Sequence, residues 1–134
     1  MGLFDILKKQ NKSECQARQY DFIQASGFRG FKKYHMTVYG DAVAEANNER
    51  LCNADTKGMR ISFVEGKHDS YKDPFLLVFL DGQKIGAIFD ADQVEAMTSG
   101  RIEAVYVKFE SETVVGNDKT ITRHRARLFV KYCE

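Results

Sequence analysis

The densest hydrophobic pattern of the chain is PFLLVFLDGQKIGAIFD, residues 74–90. Two apolar runs flank Asp81-Gly82, a pair that accepts the positive φ angles of a two-residue hairpin turn. Such a turn places Val78 opposite Ile85 and Leu77 opposite Gly86, and leaves both faces of the pair largely apolar. We therefore expect this hairpin at the centre of a closed or doubly covered sheet.

A second hairpin is predicted near the end of the chain, from residues 102–113 and 120–132. Apolar and polar residues alternate along both segments, as in half-buried strands. A turn centred on Gly116-Asn117 gives the register. The predicted cross-strand pairs are Val105–Leu128, Val107–Ala126, Tyr106–Arg127, Lys108–Arg125 and Glu110–Arg123.

The remaining pattern predicts two more strands, in residues 34–39 and 59–64, and a polar loop over residues 66–73. A short helix that buries Val94 and Met97 could begin at Asp90 with Gln93 or at Asp92 with Glu95 as a capping box, and Gly100 is suited to end it. Asp41 could cap another helix over the following residues, and a loop through Asn47-Asn48 is the alternative.

At the start of the chain, four apolar residues have helical spacing and are followed by lysines: Leu3, Phe4, Ile6 and Leu7. They predict a short amphipathic helix, which could bind a partner or a membrane surface, dock on its own domain, or fray. Residues 15–24 fit a second short helix or an irregular arm. We expect residues 1–30 to form an N-terminal helical extension and residues 31–134 to form one domain.

These elements predict an α+β protein. Its domain would be a small OB-like or SH3-like β-barrel of five to six strands. One short helix would follow the central hairpin, and the N-terminal helical extension would precede the barrel.

The composition says more about the cellular compartment of the protein than about its function. The 134 residues suit one domain, and the net charge of +1 gives no global field that would indicate nucleic acid. Three distant cysteines, Cys15, Cys52 and Cys133, form no Cys-x-x-Cys motif, which favours a reducing cytosol. No apolar run is long enough to span a membrane. We expect a cytoplasmic protein.

The sharpest charge feature is a basic stripe near the C-terminus, formed by Arg123, Arg125 and Arg127, with Lys131 beyond them. At period two these side chains share one face of a strand. On a groove they could follow the phosphates of a nucleic acid. Alternatively, they form a solvated edge-strand face, partly offset by Glu110 and Glu112 on the neighbouring strand.

Motifs for catalysis, metals and cofactors are not apparent. His35, His68 and His124 lack metal-ligand spacing. His68, Asp69 and Ser70 are too close in sequence to converge as a hydrolase triad. The sequence therefore predicts a protein that is not an enzyme and that carries no metal or other cofactor.

The segment DSYKDPFLLVFLDGQKIGAIFDADQVEAM, residues 69–97, resembles the signature region of HIRAN domains. That family shows a polar loop containing tyrosine and aspartate, an apolar strand, a turn, and a strand with an apolar-Gly-apolar-apolar pattern that opens a helix. The similarity extends over residues 34–114. It implies an OB-like barrel and, as in chromatin remodellers, capture of free 3′ ends of single-stranded DNA.

Carried over by position, Tyr71 matches the tyrosine whose ring supports the terminal nucleotide. Lys72 stands where the family has an aspartate that accepts from the 3′ hydroxyl. Because an ammonium can only donate and attracts phosphate, we expect no preference for a 3′ hydroxyl end. The family's first-strand Arg-Tyr-Tyr has no counterpart after Gly40.

The sequence thus predicts a non-enzymatic binding module, with single-stranded DNA or RNA as ligand. Its predicted contacts are Tyr71, Lys72, Arg123, Arg125 and Arg127. The alternative is a protein-interaction or scaffold domain that has no nucleic-acid role and uses the N-terminal helix or an exposed sheet edge.

Overall fold

The computed structural model of the chain describes residues 18–25, 31, 35–36, 38–68 and 71–133. Seven strands and two helices lie in these ranges. In chain order they are β1 Gln19–Ile23, β2 His35–Met36, α1 Ala42–Leu51, β3 Arg60–His68, β4 Tyr71–Leu80, β5 Gln83–Ile88, α2 Ala91–Thr98, β6 Ile102–Val115 and β7 Thr120–Tyr132.

The strands form two antiparallel sheets, with the orders β1-β3-β4-β5 and β2-β7-β6. One hydrophobic core contains side chains from both sheets and from α2. Its fully buried members include Ile61, Phe63, Leu76, Val78 and Leu80 from the first sheet and Val105 and Leu128 from the second. Burial of this apolar surface from water is the main force that holds the sheets together.

The expected α+β barrel is wrong. Within the described residues the fold is mostly β, with two helices instead of one, and its two sheets do not close a barrel. The reason is local: in the described part of the chain, the hydrogen-bonded ladders stop at both edges where the sheets meet, and single hydrogen bonds cross these two corners.

The first corner is built around Gln24, which follows β1 and is buried. Its side-chain Nε2 donates to Thr56 O at 2.8 Å and to Thr56 Oγ1 at 2.7 Å. Its Oε1 accepts from the Val107 main-chain nitrogen of β6 at 2.9 Å. The next residue, Ala25, donates its main-chain N–H to Val105 O at 3.1 Å. The buried amide of Gln24 and the main-chain N–H of Ala25 therefore connect the four-stranded sheet to β6.

The second corner is an isolated bridge between Tyr39 and Ala87 of β5, whose main-chain groups exchange two hydrogen bonds of 2.8 Å. Gly86 permits this approach. Its φ is +155°, and a Cβ there would lie 2.3 Å from Val38 Cγ1 and 2.9 Å from Tyr39 O. A side chain at residue 86 would therefore push residues 38–39 away from β5.

The central hairpin confirms the predicted two-residue turn, with φ of 51° at Asp81 and 80° at Gly82. Next to the turn Phe79 faces Lys84, but a bulge between Val78 and Phe79 makes Val78 face Gly86 instead of the predicted Ile85. Every pair beyond the bulge is therefore displaced by one residue from the predicted register.

The second hairpin keeps its predicted faces but not its predicted partners. Gly116 donates to Lys119 O at 2.7 Å, so the turn is centred one residue later than expected. Each residue of β6 consequently faces a β7 residue two positions further along: Val107 faces Leu128 and Glu110 faces Arg125. Because a shift of two preserves the alternation, Val105, Val107, Ala126 and Leu128 are buried as predicted.

Both helices begin at predicted caps. Asp90 accepts from the main-chain nitrogens of Asp92 and Gln93 at the start of α2, which buries Val94 and Met97 as expected. Asp41 accepts from the Ala44 nitrogen at 2.9 Å, which decides for a helix over the alternative loop.

Two other predictions need correction. Residues 19–23, expected in a helix or an irregular arm, form β1, which pairs with β3. The predicted loop over residues 66–73 is largely strand, because β3 continues through a bulge to His68, which pairs with Tyr71. The amphipathic helix predicted around residues 3–7 lies outside the described residues.

Neither of the two helices in the described part of the chain is long and apolar enough to cross a membrane.

Gly86→Ala tests the second corner. The new Cβ would collide with Val38 and Tyr39 in a backbone conformation that L residues rarely adopt. We expect the free energy of unfolding in urea to fall by about 2–4 kcal/mol. Gly116→Ala is the matched control: its Cβ would come no closer than 3.4 Å to a neighbour, and a change below about 0.5 kcal/mol is expected. Equal, small effects of both changes would contradict the close approach.

Gln24→Met tests the first corner, since methionine nearly keeps the volume and removes the hydrogen bonds. The Val107 N–H would lose its hydrogen-bond partner. We therefore expect the free energy of unfolding, measured by urea denaturation, to fall by about 1–3 kcal/mol. Gln19→Met, at the exposed start of the same strand, should change stability by less than about 0.5 kcal/mol. Stability of Gln24→Met within that margin would show that the amide does not hold the sheets.

Candidate nucleic-acid interface

An open cleft of about 340 Å³ lies beside the second corner, between the segment that leads into α1 and the distal half of the β6–β7 hairpin. Its walls come from three parts of the chain. The lining residues are Val38, Tyr39, Gly40, Glu45, Glu112, Val114, Arg123, His124 and Arg125.

The wall that carries Glu45 is fixed by the contacts of α1 with β5. Asn47 Nδ2 donates to Lys84 O at 2.8 Å, and Asn48 Nδ2 donates to Ile85 O at 3.3 Å. These amides cover main-chain acceptors on the free edge of β5, which would otherwise be open to pairing. The helix is thereby held between the edges of the two sheets.

Asp41 anchors the start of the same helix. Its carboxylate accepts from Lys84 Nζ at 2.6 Å and from the Ala44 main-chain nitrogen. The hydrogen bond from Lys84, followed by that from Ala44, lowers the pKa of Asp41 below its ordinary value. Because the pKa is lower in the folded chain, this carboxylate stabilises α1 at neutral pH, and the contribution is lost as the pH falls through the folded pKa.

The opposite wall is the distal part of the β6–β7 hairpin, where residues 111–123 are exposed on both strands. The predicted basic stripe lies here along β7. Arg123 and Arg125 line the cleft, and their side chains are 61% and 53% exposed. Arg127 continues the stripe toward the core but does not line the cleft.

Each arginine of the stripe has a carboxylate partner. Arg123 Nε lies 3.2 Å from Glu45 Oε2, Arg125 Nη2 lies 2.5 Å from Glu112 Oε1, and Arg127 Nη2 lies 3.1 Å from Glu110 Oε1. The stripe is therefore locally balanced in charge. Since exposed ion pairs contribute only about 0–1 kcal/mol, an anionic ligand can compete for these guanidinium groups.

Tyr39 supplies an aromatic face at the cleft. Its side chain is 56% exposed, and its ring centroid lies 6.0 Å from that of Phe89. Phe89 in turn stacks on buried Phe75, with centroids 5.1 Å apart and planes at 27°. Tyr39 is thus the outer member of a row of three rings. Its position is also fixed by the main-chain bridge to Ala87.

The other two predicted site residues lie elsewhere in the fold. Tyr71 and Lys72 begin β4 in the four-stranded sheet, and Tyr71 pairs with His68 of β3. Their side chains are outside the described part of the structure. Of the five predicted site residues, the structure therefore brings two, Arg123 and Arg125, together at one cleft.

Sequence reasoning missed Tyr39, Glu45 and His124 as cleft residues. Tyr39 was placed only as the end of a strand, although an exposed aromatic residue next to Gly40 is a typical contact in a binding surface. Glu45 is distant in sequence from the stripe, and no pattern connects the two. The shifted register hid the neighbour of His124, whose ring Nδ1 lies 3.0 Å from Ser111 Oγ.

The polar groups at and beside the cleft are open to water, the Ser111–His124 pair included. In the part of the chain that the structure describes, no group of three or more His, Cys, Asp or Glu side chains could hold a metal ion. The functional groups that line the cleft are two guanidinium groups, one imidazole, one aromatic ring and two carboxylates.

Comparison with known proteins assigns the chain to no family: no protein-family model, no curated protein and no solved structure matches it.

Proposed function

We propose that the protein is a non-enzymatic binding module that holds a single strand of DNA or RNA in the cleft beside α1. One observation carries the proposal: Arg123, Arg125 and the exposed ring of Tyr39 line the same open cleft. Single-strand binding needs this combination, because guanidinium groups follow the phosphates while an aromatic ring stacks on a base.

The two contact types differ in strength and in selectivity. Stacking of a base on an aromatic side chain contributes about 1–3 kcal/mol and is tolerant of sequence, since every base has a π face. Phosphate contacts displace counterions and therefore weaken as salt rises. With a net charge of +1 and each cleft arginine already paired, we expect weak, salt-sensitive binding without sequence preference.

The resemblance of residues 69–97 to HIRAN domains points to the same ligand class. On that basis we propose Tyr71 and Lys72 as further contacts, and Arg127 as an extension of the basic stripe. Because lysine at residue 72 attracts phosphate, strands that end in 3′ hydroxyl and in 3′ phosphate should bind equally well, or the phosphate-ended strand better.

A second candidate function, a protein-interaction domain, is favoured by the tip of the β6–β7 hairpin. Val114 and Ile121 form a cross-strand pair there, and Val115 follows. All three are exposed, Val115 by 77%. A two-stranded ribbon exposed on both faces is marginal in water, so a partner that covers this tip would stabilise it.

Fluorescence anisotropy with a labelled oligo(dT) at low salt tests the first proposal. We expect Tyr39→Ala to weaken binding about tenfold, through lost stacking, and Tyr39→Phe to retain it. Replacing both Arg123 and Arg125 by Gln should weaken binding. The slope of log K against log salt should become less steep by about 1.4, since two phosphate contacts are lost.

Lys57→Gln provides the control, since Lys57 is an exposed cation on the loop beside the first corner. It should leave both affinity and salt dependence nearly unchanged. If Lys57→Gln weakens binding as much as the cleft variants do, the interaction is only a general attraction of charge. If the parent protein binds no oligonucleotide even at low salt, the proposal is wrong, and the hairpin tip becomes the leading interaction surface.

A further inference from the structure

Two hydrogen-bond donors at the edge of β7 converge on the carboxylate of Glu45. The Oε2 atom of Glu45 lies 3.2 Å from Arg123 Nε and 3.2 Å from the main-chain nitrogen of His124. Both donors thus converge on one oxygen atom. The carboxylate reaches them from the first turn of α1.

The two donors are those that proteins use for phosphate. A guanidinium supplies charge and a directed N–H, and a main-chain amide adds a second N–H of fixed direction. A phosphate oxygen accepts hydrogen bonds in the same geometry as a carboxylate oxygen. The oxygen of Glu45 therefore occupies the place that a phosphate oxygen of a bound strand would take.

The position of the contact makes exchange feasible. Glu45 and Arg123 both line the open cleft, and their side chains are 30% and 61% exposed, so a ligand can reach them from solvent. The contact includes a partly exposed ion pair, and such pairs are weak and are screened by salt.

We propose that Glu45 is an internal competitor for this site, and that a phosphate of the bound strand replaces it on Arg123 and His124. This inference rests on the proposed function. It adds a specific phosphate position and a reason for low affinity: each binding event must first break the contact of Glu45. The carboxylate also keeps the edge N–H of His124 satisfied when no ligand is present.

Glu45→Gln tests this competition, with Glu49→Gln as the matched control. Glu49 is an exposed residue of the same helix, and its substitution makes the same change in net charge. We expect Glu45→Gln to bind oligo(dT) about two- to fivefold more tightly than Glu49→Gln does, as loss of an exposed competing ion pair allows. Equal affinities of the two variants would overturn the proposal, because the gain would then come from net charge alone.

An NMR titration with inorganic phosphate separates this inference from the proposed function. In Glu45→Gln the amide signal of His124 should shift with phosphate concentration, while in Glu49→Gln it should shift less. This result would support the anion site even if no variant bound oligo(dT), in which case only the proposed function would fail. If the His124 amide shifts in neither variant, Glu45 serves only to cover the edge of β7, and the inference is wrong.

Arg123→Gln in the Glu45→Gln background completes the test. Removal of the guanidinium should abolish the gain in affinity for oligo(dT) and reduce the phosphate-dependent shift of His124. A gain that persisted without Arg123 would contradict the assignment of the site.

Discussion

The structure depends on one buried amide at the edge between its two sheets. Among the described residues one main-chain hydrogen bond, from Ala25 to Val105, crosses that edge, and the Gln24 side chain adds bonds to Thr56 on one side and to the Val107 N–H of β6 on the other. The stability lost when a buried N–H group has no hydrogen-bond partner is about as large as the stability that several exposed ion pairs contribute. The amide therefore fixes how the sheets meet, while the hydrophobic core supplies most of the attraction between them.

The opposite edge is held differently, and the cleft follows from that difference. Gly86 has no side chain to keep Tyr39 away, so the Tyr39 main chain bonds to Ala87 and its ring stays exposed beside Phe89. Helix α1, which begins three residues after Tyr39, then lies between β5 and β7. Tyr39 and Glu45 are in this way brought to face the arginines of β7, although they are far from them in sequence.

Strand faces could be predicted from the sequence, because alternation at period two decides which side chains are buried. The Asp81-Gly82 turn was also predictable, since it requires positive φ angles that few residue pairs accept. The bulge between Val78 and Phe79 and the displacement of the second turn by one residue could not be predicted, because they change the cross-strand partners without changing the apolar pattern. The closed barrel was wrong for a related reason: a polar residue such as Gln24 carries no periodic signal. The cleft was only partly predictable, because the ion pairs of the basic stripe involve a helix that no local pattern connects with β7.

Photo-crosslinking tests most directly whether a nucleic-acid strand lies in this cleft. An oligonucleotide that contains 5-iodouracil forms adducts with aromatic side chains on which the base stacks, and mass spectrometry of the digested protein identifies the residue. Stacking in the cleft predicts an adduct on Tyr39, which disappears in Tyr39→Ala and when unlabelled oligo(dT) is added in excess. An adduct that forms only on tyrosines outside the cleft, or equally on all exposed tyrosines, would contradict binding at this site.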